Sequence, residues 1–233
     1  PESDQNDTTG MSTYNKLPSL YQGSGARGVS SLSAKLLLAL LPPSQPFFRL
    51  AINKGEIDKY LQQSGQSEEN VLSEMDVAMS SIERQILARL DKIQIRPALF
   101  EAIKHLVVGG NALLYIGEDN VRMYGLRCYV VERDPEGNLS EIVIKESVSP
   151  KFLPPSATPK NDDDDEHQNV YTHIIFDGAK DRVEWHQEYD GKRIAGSQGF
   201  SKLDTCPYLC LRLQPIHGEG YGRSITEEVL GDL

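Results

Sequence analysis

Hydrophobic positions recur along residues 99–116 in two rhythms. Leu99, Phe100, Ile103, Leu106 and Val107 return every three or four residues, the period of one helix face, with Glu101 opposite and Lys104 and His105 in later turns. Pro97 stands where a first helical turn accepts it, because an N–H there has no partner to lose. Gly109 and Gly110 then supply the positive φ that ends a helix without a Cβ penalty. Ala112 to Ile116 follow as a near-continuous apolar run, the pattern of a strand covered on both faces. His105 reads as a rim histidine near the end of that helix.

The same periods organise the rest. Gly25-Ala26-Arg27-Gly28 introduces Val29, Leu32, Leu36, Leu37, Leu40 and Leu41, a helix stopped by Pro42 and Pro43. It is apolar over much of its circumference, so burial against partner elements is expected. Pro46 to Ile52 reads as an extended segment with Phe47 and Phe48 as core aromatics. Residues 66–93 predict a long amphipathic helix, with Val71, Met75, Val77, Met79, Ile82, Ile86, Leu87 and Leu90 as its stripe. Beyond Ile116 the texture changes to short alternating runs. Cys128–Glu132, Leu139–Lys145, Val170–Phe176, Val183–Tyr189 and Tyr208–Leu213 are the expected strands, the first two joined through Pro135-Glu136-Gly137-Asn138. Residues 149–169 interrupt them with prolines and the aspartates Asp162 to Asp165, an insertion loop whose consecutive carboxylates lack the spacing of a calcium loop.

The fold class expected is therefore α+β: a helical N-terminal half packed on a small antiparallel β-sheet or barrel. Its parts are a lead-in at 1–24, a helical part at 25–116, a β-rich part at 117–220, and the start of a further helix at 221–233. In that last part Ser224 is the N-cap and Glu227 completes a capping box. The chain opens at Pro1 rather than Met and closes at Leu233 soon after this helix begins, which reads as the N-terminal fragment of a longer protein.

Charge and chemistry narrow the function. A net charge of −10 argues against a domain that grasps nucleic acid and suits an acidic wall that repels it. Three cysteines describe no disulfide framework and point to a reducing compartment, and no apolar run nears the roughly 18–20 residues that span a bilayer. Cys206 and Cys210 have the wrong spacing for a redox pair and read as buried small hydrophobes. Gly218, Gly220 and Gly222 form a glycine-rich loop opening a helix, a geometry that can cradle phosphate, but no Lys precedes Ser224 and Glu219 would repel an anion. His173, His186 and His217 have no adjacent nucleophile. No catalytic, metal or cofactor constellation emerges.

Four segments taken together resemble the head-to-tail connecting, or portal, proteins of short-tailed bacteriophages of the autographivirus type. They are GARGVSSLSAKLLLALLPPSQPFFRL at 25–50, LFEAIKHLVVGGNALLY at 99–115, YVVERDPEGN with VYTHI at 129–138 and 170–174, and CPYLCLRL with GEGYGRSITEEVLGDL toward the end. The resemblance implies a non-enzymatic virion subunit without cofactor, assembled in the host cytoplasm as a ring of usually twelve copies at one capsid vertex. Through that ring double-stranded DNA is packaged and later ejected, without sequence-specific contact. The implied partners are further copies of itself, terminase, scaffold, major capsid and tail adaptor proteins, and no membrane. This chain corresponds to the N-terminal wing, halting where the stem would start. Within the motif segments, Gly25, Gly28, Gly109, Gly110, Gly220, Gly222, Ser224 and Glu227 carry structural roles, and Arg27, Arg49 and Arg223 are expected to meet carboxylates of neighbouring subunits. The rival readings are a monomeric protein-binding adaptor and a phosphate-binding enzyme domain using the 218–224 loop.

Overall fold

A computed structural model describes residues 23–43, 46–51, 55, 68–153 and 168–229. The fully described helices of the first part are α1 (Ser24–Leu40), α2 (Glu68–Lys92) and α3 (Ile95–Gly109). Leu37 and Leu41 at the end of α1 share a cluster with Ile95 and Leu99 at the start of α3, so the two run antiparallel. Arg96 closes this joint. Its guanidinium donates to Leu41 O at 2.7 Å and Pro42 O at 3.2 Å, satisfying carbonyls for which the end of α1 has no helical partner.

The helical surface departs from expectation in three places. In α1 only Ser33 is fully buried, while Leu38 is 56% and Leu40 62% exposed. The helix meets α3 along one side, and its remaining apolar positions face outward. In α2 three positions of the expected stripe are exposed, Val77 at 69%, Ile82 at 45% and Ile86 at 37%, while Met75, Met79, Leu87 and Leu90 are half-buried; two residues after Met75, Val77 falls about 200° around the helix. Phe47 is 42% exposed rather than a core aromatic, and stands edge-on to Phe48 at the rim of a pocket of about 210 Å³ shared with Pro42, Pro43, Pro46, Leu87 and Leu90.

Among the described residues the strands form open antiparallel sheets rather than a barrel. One has the order β2 (Val121–Tyr124), β1 (Asn111–Ile116), β9 (Tyr208–Arg212). The larger runs β3 (Tyr129–Arg133), β4 (Leu139–Val148), β5 (Gln168–Asp177), β6 (Arg182–Tyr189), β7 (Lys192–Arg193), with β8 (Gly199–Ser201) also on β6. A two-stranded ribbon joins β10 (Gln214–Pro215) to β11 (Gly222–Arg223), and α4 (Ile225–Val229) follows.

The core lies between the two larger sheets, where Leu113 and Tyr208 meet Tyr129, Ile142, Ile144, Ile174 and Val183. The other face of β1 is also covered, because Ala112 and Leu114 pack on Ala102, Leu99 and Leu106 of α3. The β3–β4 hairpin turns where expected, with Gly137 at φ 89° and Asp134 accepting from the Asn138 N–H at 2.8 Å. In the Pro/Asp-rich loop, Pro150–Phe152 makes one 3₁₀ turn. The aspartates Asp162 to Asp165 and His167 lie outside the described residues, as do positions 1–22 of the lead-in.

Candidate functional site

The corner between α3 and β1 is where the far end of the chain returns. Gly110 ends α3 at φ 70° with its N–H on Leu106 O at 2.9 Å, and its own carbonyl accepts from the Leu213 N–H at 2.8 Å. A Cβ there would lie 2.5 Å from the Arg223 carbonyl carbon and 2.6 Å from Gly222 O, so the absence of a side chain lets residues 222–223 lie against the helix end. Gly222 is confined from the other side, where a Cβ would meet the Arg212 Cβ at 2.9 Å.

Asn111, only 3% exposed, binds the two segments together. Its Nδ2 donates to Gly109 O at 2.9 Å and Gly222 O at 2.7 Å, and its Oδ1 accepts from the Gly222 N–H at 2.7 Å. The amide thus meets both backbone groups of one glycine, a pattern that fixes its orientation.

The rest of the returning segment is fastened residue by residue. Arg133 Nε donates to Gly220 O at 3.0 Å, and the Tyr221 hydroxyl accepts from the Val131 N–H at 3.0 Å. Arg212 donates to Glu219 O at 3.0 Å. Ser224, 4% exposed, accepts the Glu227 N–H at 2.9 Å, the hydroxyl half of a capping box, and Thr226 Oγ1 donates to Val107 O near the end of α3 at 3.0 Å. The direction of α4 is set from both ends of the scaffold corner.

Six of the eight structural-motif residues therefore meet at one junction: Gly109, Gly110, Gly220, Gly222, Ser224 and Glu227. Gly220 contributes its carbonyl, since a Cβ there would sit at an ordinary 3.6 Å from Val131 O. Gly25 and Gly28 belong elsewhere, on the exposed start of α1, where an added Cβ would meet nothing within 4 Å. Arg27 and Arg49 are exposed and lie on other elements; Arg223 sits in the junction and pairs with Glu219 at 3.8 Å within its own chain. Sequence reasoning does not reach Asn111, Tyr221, Arg133 or Thr226. The one signal for Asn111 is a lone polar residue heading an apolar strand directly after Gly-Gly.

The remaining chemistry is structural. Two N–H donors of the 218–224 loop are committed inside the protein, Glu219 to Ile216 O at 3.2 Å and Gly222 to Asn111 Oδ1 at 2.7 Å. Cys206 and Cys210 are half-buried rather than fully buried, and desolvation raises both thiols above their usual range, the opposite of a reactive thiolate. His173 and His186 stand side by side across β5 and β6 with ring centroids 5.2 Å apart, on Glu141 at 2.5 Å and Glu188 at 2.9 Å. Among the described residues no group of three or more His, Cys, Asp or Glu could hold a metal ion, and no helix is long and apolar enough to cross a membrane.

The best-built feature of this α+β scaffold is the joint at Asn111 and Gly222. The profile of the family described as "Bacteriophage head to tail connecting protein" matches residues 1–233, and the chain belongs to that family. It is 36% identical over 239 residues to the portal protein of Escherichia phage T7, covering 97% of this chain and 43% of that protein. Identity is 34% over 244 residues to the portal protein of Enterobacteria phage T3, covering 100% and 43%. It is 31% over 223 residues to that of Pseudomonas phage phiKMV, covering 91% and 42%. The chain thus spans less than half the length of these relatives.

Proposed function

We propose that this chain is the wing part of a phage portal subunit, a non-enzymatic component of the virion that closes with copies of itself into a ring of about twelve around the DNA channel. The observation that carries the reading is the junction at Asn111 and Gly222. There the corner motif and the GYGRSITEE motif, 111 residues apart in sequence, become one joint. A joint of this kind fixes the angle at which the chain leaves the wing, which a ring needs because every subunit must present the same angle for closure. Matching over the whole chain to the connector family supports the same reading.

The ring is assembled in the host cytoplasm, meets terminase, scaffold, major capsid and tail adaptor proteins, and passes double-stranded DNA. An acidic subunit of charge −10 suits a channel along which DNA slides without adhering. Arg27, Arg49 and Arg223 act at subunit boundaries. The test is the particle mass and rotational symmetry of the full-length gene product, by light scattering and negative-stain imaging. Closed rings of about twelve subunits are expected, and a full-length protein that stays monomeric at high concentration would overturn the reading.

A further inference from the structure

A ring built from one kind of subunit needs a heterologous interface, in which two different surfaces of the same chain complement each other. Two exposed surfaces here have that relationship. The first is on α1, where Ser24, Arg27, Ser31, Lys35 and Leu38 are all exposed and follow one another at spacings of three and four, a single stripe. No carboxylate occurs anywhere in α1, and neither Arg27 nor Lys35 has an ion-pair partner among the described residues.

The second is the outer face of the six-stranded sheet. Strand register aligns Glu132, Glu141, Ile175, Glu184 and Phe200 in one row across β3, β4, β5, β6 and β8. Val130 lies beside the row, two residues along β3. Val130 is 60%, Ile175 42% and Phe200 70% exposed, so the row is acidic and apolar together. Glu132 stands directly opposite Glu141, a like-charge pair that is unfavourable in an exposed antiparallel ladder. Glu141 is held by His173 and Glu184 by Arg182 at 2.8 Å, whereas Glu132 has no cation of its own among the described residues.

The dimensions agree. Arg27 and Lys35 are eight residues apart, about 12 Å along a helix axis. Glu132 and Glu184 are three strands apart, about 14 Å across a sheet. We propose that the exposed stripe of α1 in one subunit lies across this row in the next, Lys35 facing the Glu132–Glu141 pair, Arg27 facing Glu184, and Leu38 set against Val130. The contact rests on the ring reading given above and adds to it the two surfaces that meet.

The full-length protein carries the test. Arg27→Glu with Lys35→Glu makes one variant, and Glu132→Lys with Glu184→Lys makes the other. Because all four side chains are exposed, each variant is expected to keep the parental circular dichroism and melting temperature. Each alone should need roughly tenfold more subunit to close rings at low salt. Mixed one to one they should recover closure as alternating, even-numbered rings, since every boundary then pairs unlike charges. Variants that close as the parent does, or a mixture that stays open, would overturn the contact while leaving the ring intact. A parent that forms no ring would overturn the ring reading and this contact together. A second measurement leaves the charges alone: Ser31→Cys with Ile175→Cys should give disulfide-linked multimers beyond those of the parent with its own thiols, and none would overturn the proposal.

Discussion

The side chain of Asn111 pairs with both backbone groups of Gly222, accepting from its N–H and donating to its carbonyl, each at 2.7 Å. This buried amide replaces the sheet partner that residue 222 would otherwise need on that side. Asn111→Ala would leave the Gly222 N–H and the Gly109 and Gly222 carbonyls without it, a loss of about 2–4 kcal/mol for buried groups left unpaired. Urea unfolding should show a lower midpoint with an unchanged slope. Asn111→Asp should do no better, because a carboxylate cannot donate to the two carbonyls.

Four glycines in motif segments separate into two kinds by what a methyl group would meet. Gly110→Ala forces an L-residue to φ 70° and drives its Cβ within 2.5 Å of the Arg223 backbone. Strain and overlap together should cost about 2–5 kcal/mol. Gly222→Ala should also destabilise, against the Arg212 Cβ and Gln214 O. Gly28→Ala, on an open helical surface, should stabilise by about 0.5–1 kcal/mol, with Gly25→Ala giving less at the helix start. Thermal unfolding of the four variants side by side checks the division.

Much of this fold is legible because its elements announce themselves locally. The α3–Gly-Gly–β1 corner, the Pro135-to-Asn138 hairpin and the Ser224 cap each rest on a residue whose backbone preference decides the outcome. β2 is not legible, because Val121–Tyr124 is four residues long and makes sense only beside β1. The motif segments can be recognised without any sign that two of them touch, since the Asn111–Gly222 bond spans 111 residues and its partner atoms are backbone. The exposed leucines of α1 mark the opposite limit: periodicity reports that a face is apolar and leaves open whether the same chain covers it.

Trp185, the single tryptophan, offers a local probe of the sheet. Its ring stands edge-on to Tyr208 at 5.7 Å and lies over Gly199, where a Cβ would fall 2.4 Å from the indole. Gly199→Ala should push the indole out of this site. A red-shifted emission maximum and a loss of about 1–3 kcal/mol are expected. Unchanged fluorescence would mean that β8 moves instead of the ring.

Alkaline titration should separate the tyrosines by burial. Burial raises Tyr124 to about 12, with the neighbouring Glu146 carboxylate adding to the effect and Arg122 opposing it. Tyr129 and Tyr208 are raised still further, again chiefly by burial, Tyr129 near Cys210 and Tyr208 near Tyr115. A phenol whose folded pKa lies above its unfolded value keeps its proton in the folded chain after the unfolded chain has lost it. Its contribution to stability is therefore complete below about pH 10 and declines as pH rises from there through its folded pKa. Phenolate absorbance of the folded protein should show a group of tyrosines still protonated at about pH 11. Tyr124→Phe should make the fall in stability between about pH 10 and the folded pKa of about 12 shallower. A Tyr124→Phe protein with the parental slope would assign that fall to the other two buried phenols alone.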